Sequence, residues 1–338
     1  MQHLVEAAER FGVVRALRPL HDHWRASLTV LAYHRIMPAD SPDAYPLDLE
    51  LISATPAQFE WQMDYLRRHL HPVSLRQVVA HLDGEAPLPR GAVAVTFDDG
   101  FSDTYRHAFP ILERFSIPAT VFVTTAYVDS GEPFWFELAA YLTLHADPGA
   151  LRIEEYAQAF PAGSTTRERR KSLRRLQEIL KTLPNARRVA VIAGWARRFA
   201  GRMDPQAIEL SRPISWPQVR EMAQAGVEFG SHTVTHPNLA QLPDADLHWE
   251  LAESKRILEA RLQAPISTLA YPVGTPSTFD SRVIAAARGA GFRLAVSYVP
   301  GANSLANLDR FRLRRHGMEL ATTVRYFRAL TSLPAWID

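Results

Sequence analysis

Short apolar runs rich in β-branched residues recur along the chain with amphipathic helical stretches between them, and this alternation limits the possible folds more than any other feature. Leu28–Tyr33, Ala92–Phe97, Ala119–Val123, Val227–Gly230, Ser267–Tyr271, Arg293–Val296 and Phe311–Leu313 read as strands. Pro56–Leu70, Leu75–Leu82, Asp103–Phe115, Trp216–Ala225, Ala245–Leu262 and Ser281–Ala290 carry the apolar repeat of helices. Strands with little polar alternation are buried on both faces. In a βα order that means a parallel sheet with right-handed crossovers. About seven such units suit a closed or nearly closed (β/α) barrel, an α/β fold whose site lies where strands end and loops begin.

About ninety residues between Val123 and Trp216 break this rhythm. Helical patterns over Phe134–His145, Thr166–Leu183 and Ala186–Ala200 predict a helical insertion, at about 130–213, on one side of the barrel mouth. Residues 152–202 hold 13 Lys/Arg against 4 Asp/Glu. A solvated helix face accounts for such a run, and an acidic glycan or anionic lipid head group is the alternative partner. Tyr156, Phe160, Trp195 and Phe199 are too few to interleave with these charges, so no nucleic-acid partner is expected. The rest divides into an N-terminal segment 1–27, a barrel domain 28–330 and a C-terminal tail 331–338.

Composition narrows the chemistry. With 47% hydrophobic and 22% charged residues the chain is neither disordered nor fibrous, and its net charge of +2 is too small to imply a nucleic-acid partner. The absence of cysteine excludes a disulfide scaffold, a thiolate nucleophile, a zinc ribbon and an iron–sulfur centre, so any metal must sit on His, Asp or Glu. Glu6, Glu9 and Arg10 interrupt what would have to be the apolar core of an export signal, and no run reaches the ~18–20 apolar residues of a membrane span. The expectation is a cytoplasmic protein, or one peripheral at the inner membrane. Leu4, Ala8, Phe11, Val14 and Leu17 recur at helical spacing; that helix packs on its own domain or docks on a membrane surface.

Three motifs sit at strand ends. In Thr96-Phe97-Asp98-Asp99-Gly100 two carboxylates are adjacent, a costly arrangement unless a metal or a proton neutralises one. In His232-Thr233-Val234-Thr235-His236 two imidazoles four apart are expected to share one face of a helical turn and to reach one cation. One Asp with two His is a three-ligand set that leaves positions open for water, as catalytic rather than structural metals require. An iron redox site is a rival reading, while the spare carboxylate favours hydrolysis. Leu269-Ala270-Tyr271-Pro272-Val273-Gly274 is a strand running into a turn whose backbone can present an N–H to a reacting oxygen.

These motifs, in this order, resemble the polysaccharide deacetylases of the NodB-homology group (carbohydrate esterase family 4). Tyr33-His34-Arg35, Gly226–Thr233 and Glu253-Ser254-Lys255-Arg256 fit as well, so the resemblance covers roughly 28–330. It implies a distorted (β/α) barrel of about seven strands and a metal-dependent deacetylase that removes N-acetyl groups from amino sugars. By resemblance Asp99, His232 and His236 are the metal ligands, Asp98 is the general base and the Val273 N–H is the oxyanion donor. The implied ion is Zn²⁺, with Co²⁺, Ni²⁺ or Fe²⁺ also accepted by such a set.

Departures from the family pattern shape the remaining expectations. The arginine that opens the third motif in many members is Ala270 here, and no Asp-Trp pair follows Ala295-Val296. The late Leu-x-His falls near Leu313-Arg314-Arg315-His316, one residue out of step. Either His316 is the general acid, or Arg315 occupies that place with His316 beside it. His34, Tyr271, Pro272 and Arg315 are expected to line the substrate. The departures resemble the exopolysaccharide and surface-glycan branch, so the expected partner is an N-acetylated glycan or its precursor. The alternatives are a deacylase or deformylase of a lipid-linked sugar at the cytoplasmic membrane face, with the N-terminal helix or basic insertion as contact, a small-molecule amidohydrolase, or a non-catalytic glycan-binding barrel.

Overall fold

In the computed structural model, which describes residues 27–39, 44–146, 151, 163, 165–199 and 201–332, the apolar runs pair as parallel strands. The strands are β1 (Ser27–Tyr33), β2 (Arg35–Ile36), β3 (Ile52–Ala54), β4 (His71–Pro72), β5 (Ala92–Phe97), β6 (Ala119–Val123), β7 (Glu228–Ser231), β8 (Thr268–Ala270), β9 (Leu294–Val296), β10 (Asn303–Ser304) and β11 (His316–Gly317). The order β1-β5-β6-β7-β8-β9 is parallel throughout. Leu313 bridges in parallel to Val296 of β9, and β11 pairs in parallel with β1, so segment 313–317 lies between the first and last strands. The result is a distorted (β/α) barrel of seven parallel strands, with β10 antiparallel on β1, β4 beside the start of β5, and β2–β3 as a separate pair.

Alternation along the strands divides the core. Val30, Ala94, Phe122, Ala270, Val296 and Leu313 cluster with Val73, Leu75 and Val78. Their neighbours Leu31, Val95, Val121 and Leu269 pack instead in the cluster that holds the surrounding helices. Those helices are α1 (Pro56–His69), α2 (Leu75–Leu82), α3 (Phe109–Phe115), α4 (Thr125–Ser130), α5 (Trp135–His145), α6 (Thr166–Thr182), α7 (Asn185–Arg198), α8 (Pro205–Leu210), α9 (Trp216–Gln224), α10 (Asp244–Leu262), α11 (Ser281–Gly289) and α12 (Val324–Ser332). Capping boxes start four of them, at Thr55/Gln58, Ser74/Gln77, Thr165/Glu168 and Ser215/Gln218.

Two expected elements differ. Asp103–Phe115 is not one α-helix: residues Thr104–Ala108 form a π turn before α3, with the Phe109 N–H reaching Thr104. Pro110 has no N–H to give the Arg106 carbonyl and its ring crowds that carbonyl, so the ladder widens there. Phe311–Leu313 pairs only through the Leu313 bridge, because the chain meets β9 at one residue before passing to β1. The expected N-terminal helix lies outside the described residues. Of the expected tail, Thr331 and Ser332 belong to α12. No helix among the described residues is long and apolar enough to cross a membrane.

The insertion packs α5, α6 and α7 around Trp135, Leu138, Leu142, Leu176, Leu180 and Trp195. Several of its basic residues hold it in place. Arg169 donates to the Leu144 and Ala146 carbonyls at the end of α5, and Arg170 to those of Leu47 and Tyr45. Arg188 is buried against the Trp135 ring, 4.9 Å from its centroid. The firmest tie comes from the barrel. Arg35, fully buried, donates to Asp103 (2.9 Å), Glu137 (2.6 Å), Tyr45 (2.7 Å) and the Leu210 carbonyl.

Candidate active site

The Asp pair leaves β5 in register with β1. Asp98 N donates to the Tyr33 carbonyl (2.9 Å), and Gly100 N folds back to the Asp98 carbonyl (2.8 Å) around Asp99 at φ 69°. Gly100 itself has φ 84°, and a Cβ there would lie 2.7 Å from Val123 Cγ1, so both backbone and space require glycine. The third motif repeats the device: Gly274 N donates to the Pro272 carbonyl (2.7 Å) around Val273 at φ 63°. Six non-glycine residues among those described have positive φ. Ser116 and Gln263 end helices; Asp99, Thr233, His236 and Val273 all belong to these motifs. For β-branched Thr233 and Val273 this conformation is strained, and strain of this kind gathers at functional sites.

The two histidines do not share a helical turn. His232 N extends the β6–β7 ladder to Val123, after which the chain turns through Thr233 at φ 68° and His236 at φ 58°. Glu250 of α10, nearly fully buried, holds this loop by accepting from Val234 N (2.7 Å), Thr235 N (3.0 Å) and the Thr235 hydroxyl. The turn still brings both rings together. His232 Nε2 is 3.6 Å and His236 Nε2 3.4 Å from Asp99 Oδ1. His232 Nδ1 lies 2.8 Å from the Ala270 carbonyl, an acceptor, so Nδ1 carries the proton and Nε2 keeps its lone pair for the Asp99 side.

Asp99, His232 and His236 place one ligand atom each within 4.8 Å of the others, all three residues buried. Asp99 Oδ1 is buried and accepts no hydrogen bond. Burial, then the Asp98 charge, pushes the Asp99 carboxyl well above its ordinary range, and burial holds both imidazoles below theirs. Two neutral imidazole nitrogens facing an unpartnered carboxylate oxygen form a donor set that fits a divalent cation, whose charge would favour the carboxylate.

Asp98 is held differently. Both its oxygens accept from the Arg315 guanidinium at 2.7 Å, a bidentate pair with both side chains buried. Arg315 also donates to the Ser297 carbonyl (2.7 Å) and to Thr96 Oγ1 (3.2 Å). Burial raises the Asp98 pKa, but Arg315 and then His232 more than offset it, and the carboxyl stays well below the usual carboxylate range. An arginine thus reaches this carboxylate from segment 313–317, beyond β9 from Ala270.

A cavity of about 760 Å³ opens over these groups. Of the expected lining residues, only His34 is on its wall, with Asp98, Asp99, His232, His236 and the expected oxyanion donor Val273. Tyr271, Pro272 and Arg315 are not. Tyr271 belongs to the core, its ring stacked 4.5 Å from that of Phe279 and its hydroxyl donating to the Phe311 carbonyl (3.0 Å). Arg315 is spent on Asp98. His316, next along a strand whose side chains alternate, pairs with Leu31 on β1 and is absent from the described lining. Burial, opposed by the Asp98 charge, lowers His34 to about 4.

Sequence reasoning missed Tyr298, whose ring lies 5.6 Å from that of His34, and the far wall formed by Asp48, Trp135, Phe136 and Gln177. Gln177 did leave a signal. It is a polar residue among Leu173, Leu176 and Leu180 on the buried face of α6.

Among solved structures, the chain is similar to the Streptococcus pyogenes deacetylase PplD in complex with acetate, with a TM-score of 0.60, 20% identity, and coverage of 91% of this chain and 98% of that one. YxkH of Bacillus subtilis (strain 168) is 21% identical over 279 residues, 82% of this chain and 67% of that protein. The poly-beta-1,6-N-acetyl-D-glucosamine N-deacetylase of Escherichia coli (strain K12) is 40% identical over 79 residues, 23% of this chain and 11% of its own length. The sequence profile of the polysaccharide deacetylases matches residues 85–295, well over half of the chain and including all three strand-end motifs, so this protein belongs to the polysaccharide deacetylase family.

Proposed function

We propose that the protein is a metal-dependent N-deacetylase acting on N-acetylated amino sugars of a bacterial surface polysaccharide or its precursor. The observation that carries this reading is Asp99 Oδ1, buried and without a hydrogen bond, faced by the Nε2 atoms of His232 and His236 beside an ionised Asp98. Asp99, His232 and His236 would hold the ion, and two imidazoles with one carboxylate suit Zn²⁺ while also accepting Co²⁺, Ni²⁺ or Fe²⁺. When bound, a divalent ion supplies Lewis acidity and lowers the pKa of a water at the site.

The chain's own groups divide the rest of the work. Asp98, fixed by Arg315 with both oxygens engaged, accepts a proton from the attacking water. The Val273 N–H, on the cavity wall, donates to the amide oxygen as negative charge develops there. As the carbon–nitrogen bond breaks, the proton held at Asp98 passes to the departing nitrogen. An acetate and an amine result, and the carboxylate is regenerated.

Acetate release from β-1,6-linked N-acetylglucosamine oligomers by zinc-reconstituted protein tests this reading. Release by the parent, and none by Asp98→Asn with zinc still bound, is the expected result. Equal release by both would overturn the assignment of Asp98.

A further inference from the structure

We infer that Asp48 and Gln177 form a subsite for the hydroxyl groups of a neutral amino sugar, so that the insertion joins the barrel in selecting the substrate. The inference rests on the N-deacetylase reading and adds the residues that grip the sugar.

Gln177 projects from the face of α6 that carries Leu173, Leu176 and Leu180 into the core. A buried amide costs stability unless it is hydrogen-bonded, and Gln177 Nε2 donates to Asp48 Oδ2 at 2.7 Å. Both residues are more than nine-tenths buried, yet both lie on the wall of the cavity that holds Asp98, Asp99 and the two histidines. The pair is thus a built polar surface facing the chemistry, contributed by a loop of the barrel and a helix of the insertion.

Its position is fixed from behind. Asp48 Oδ1 accepts from Glu50 N (3.0 Å), and Asp48 N donates to Glu137 Oε2 (3.1 Å). Glu137 in turn receives Arg35 Nη1 at 2.6 Å, and Arg35 Nε is tied to Asp103 at 2.9 Å. A ligand meeting this wall has little side-chain ordering to cost it affinity. An ionised carboxylate offers about four lone-pair sites and Asp48 uses two of them internally, while the Gln177 amide oxygen adds another acceptor. Acceptors of this kind receive sugar hydroxyls and repel a sugar carboxylate or phosphate. Trp135 and Phe136, on the same wall, offer apolar faces to the C–H surface of a pyranose ring.

The test measures binding and turnover of a β-1,6-linked N-acetylglucosamine tetramer by the zinc-loaded full chain, with Gln177→Leu and Asp48→Asn. Gln177→Leu is expected to raise KM about tenfold, with kcat falling by less than KM rises. Asp48→Asn is expected to raise KM as well and to narrow the preference for the tetramer over an oligomer carrying N-acetylmuramic acid; this variant stands alone should Gln177→Leu not fold. Unchanged KM in both variants, with only melting temperature reduced, would overturn the subsite and leave the pair as a pin between insertion and barrel, the N-deacetylase reading intact. Binding by the parent without turnover, lost in Gln177→Leu, would support the subsite while the reaction assigned above fails. Neither binding nor turnover by the parent overturns both.

Discussion

The rim of the barrel and the insertion beside it are both built around buried charge, and they hold it in opposite ways. At the rim, Asp99, Thr233, His236 and Val273 occupy left-handed backbone conformations, and Asp99 Oδ1 is left without an internal partner. Under the insertion, the barrel's Arg35 guanidinium is met by Asp103, Glu137, Tyr45 and the Leu210 carbonyl. The rim carries strain and an unmet carboxylate, the state of groups waiting for a ligand. The insertion carries a satisfied network, the state of groups that hold two parts of a protein together. Substitutions at the rim should therefore change chemistry more than stability, and those under the insertion the reverse.

The largest effect is expected for Asp99→Ala. Activity should fall by at least about a thousandfold and stoichiometric zinc binding should disappear, as measured by metal analysis after dialysis. Without added metal, the melting temperature of this variant should equal or exceed that of the parent, because a buried carboxylate lacking a partner has been removed. A large drop in metal-free stability would break the comparison. Its counterpart is Arg35→Met, which strands Asp103 and Glu137 in the interior and should cost about 3–5 kcal/mol in denaturant unfolding. Zinc bound per folded molecule should stay at the parent's level.

Arg315 tests the boundary between the two regimes, since it is a satisfied buried cation that sits at the rim. Arg315→Lys keeps the charge but loses the bidentate geometry, and kcat is expected to fall about 10–100-fold with zinc content unchanged. Glu250→Ala should instead weaken zinc binding about 10–100-fold, measured by competition with a chelator, because it frees the loop that carries both imidazoles. Glu250→Gln, which keeps an acceptor for the Val234 and Thr235 N–H groups, should restore most of that affinity.

How far the sequence reveals these two regions follows from the range of the interactions in each. Six of the seven apolar strand runs match the observed strands within a residue or two, because burial on both faces imposes an apolar pattern that is local. The clustering of Asp99, His232 and His236 was legible for a similar reason: each motif closes a strand, and parallel strands bring their ends together. The turn between the histidines was not legible, because a periodicity of four fits a helix as well as a loop held by Glu250 from 14 residues beyond His236. Tertiary substitutions were the least legible. Nothing local says that Arg315 reaches Asp98, 217 positions away, or that Tyr271 turns into the core. The Arg35–Glu137 pair was hidden likewise, since nothing beside either residue in the chain points to the other as its partner.

The smallest expected effect bears on the insertion alone. Thr165 accepts from Glu168 N and Glu168 caps Thr165 N in return, which satisfies two of the unpaired donors at the start of α6. Thr165→Ala should cost about 1 kcal/mol, with the loss confined to the first turn of α6. Gln177 lies three turns further along, past Leu173 and Leu176 in the buried cluster, so fraying at Thr165 should not reach the cavity wall. The expected outcome is faster amide exchange over residues 166–170, unchanged exchange at 176–180, and unchanged KM for the acetylated tetramer. If KM rises together with the fraying, the insertion is a mobile cover whose order controls access, and the contrast between a strained rim and a firmly pinned insertion must give way to one between a fixed rim and a moving wall.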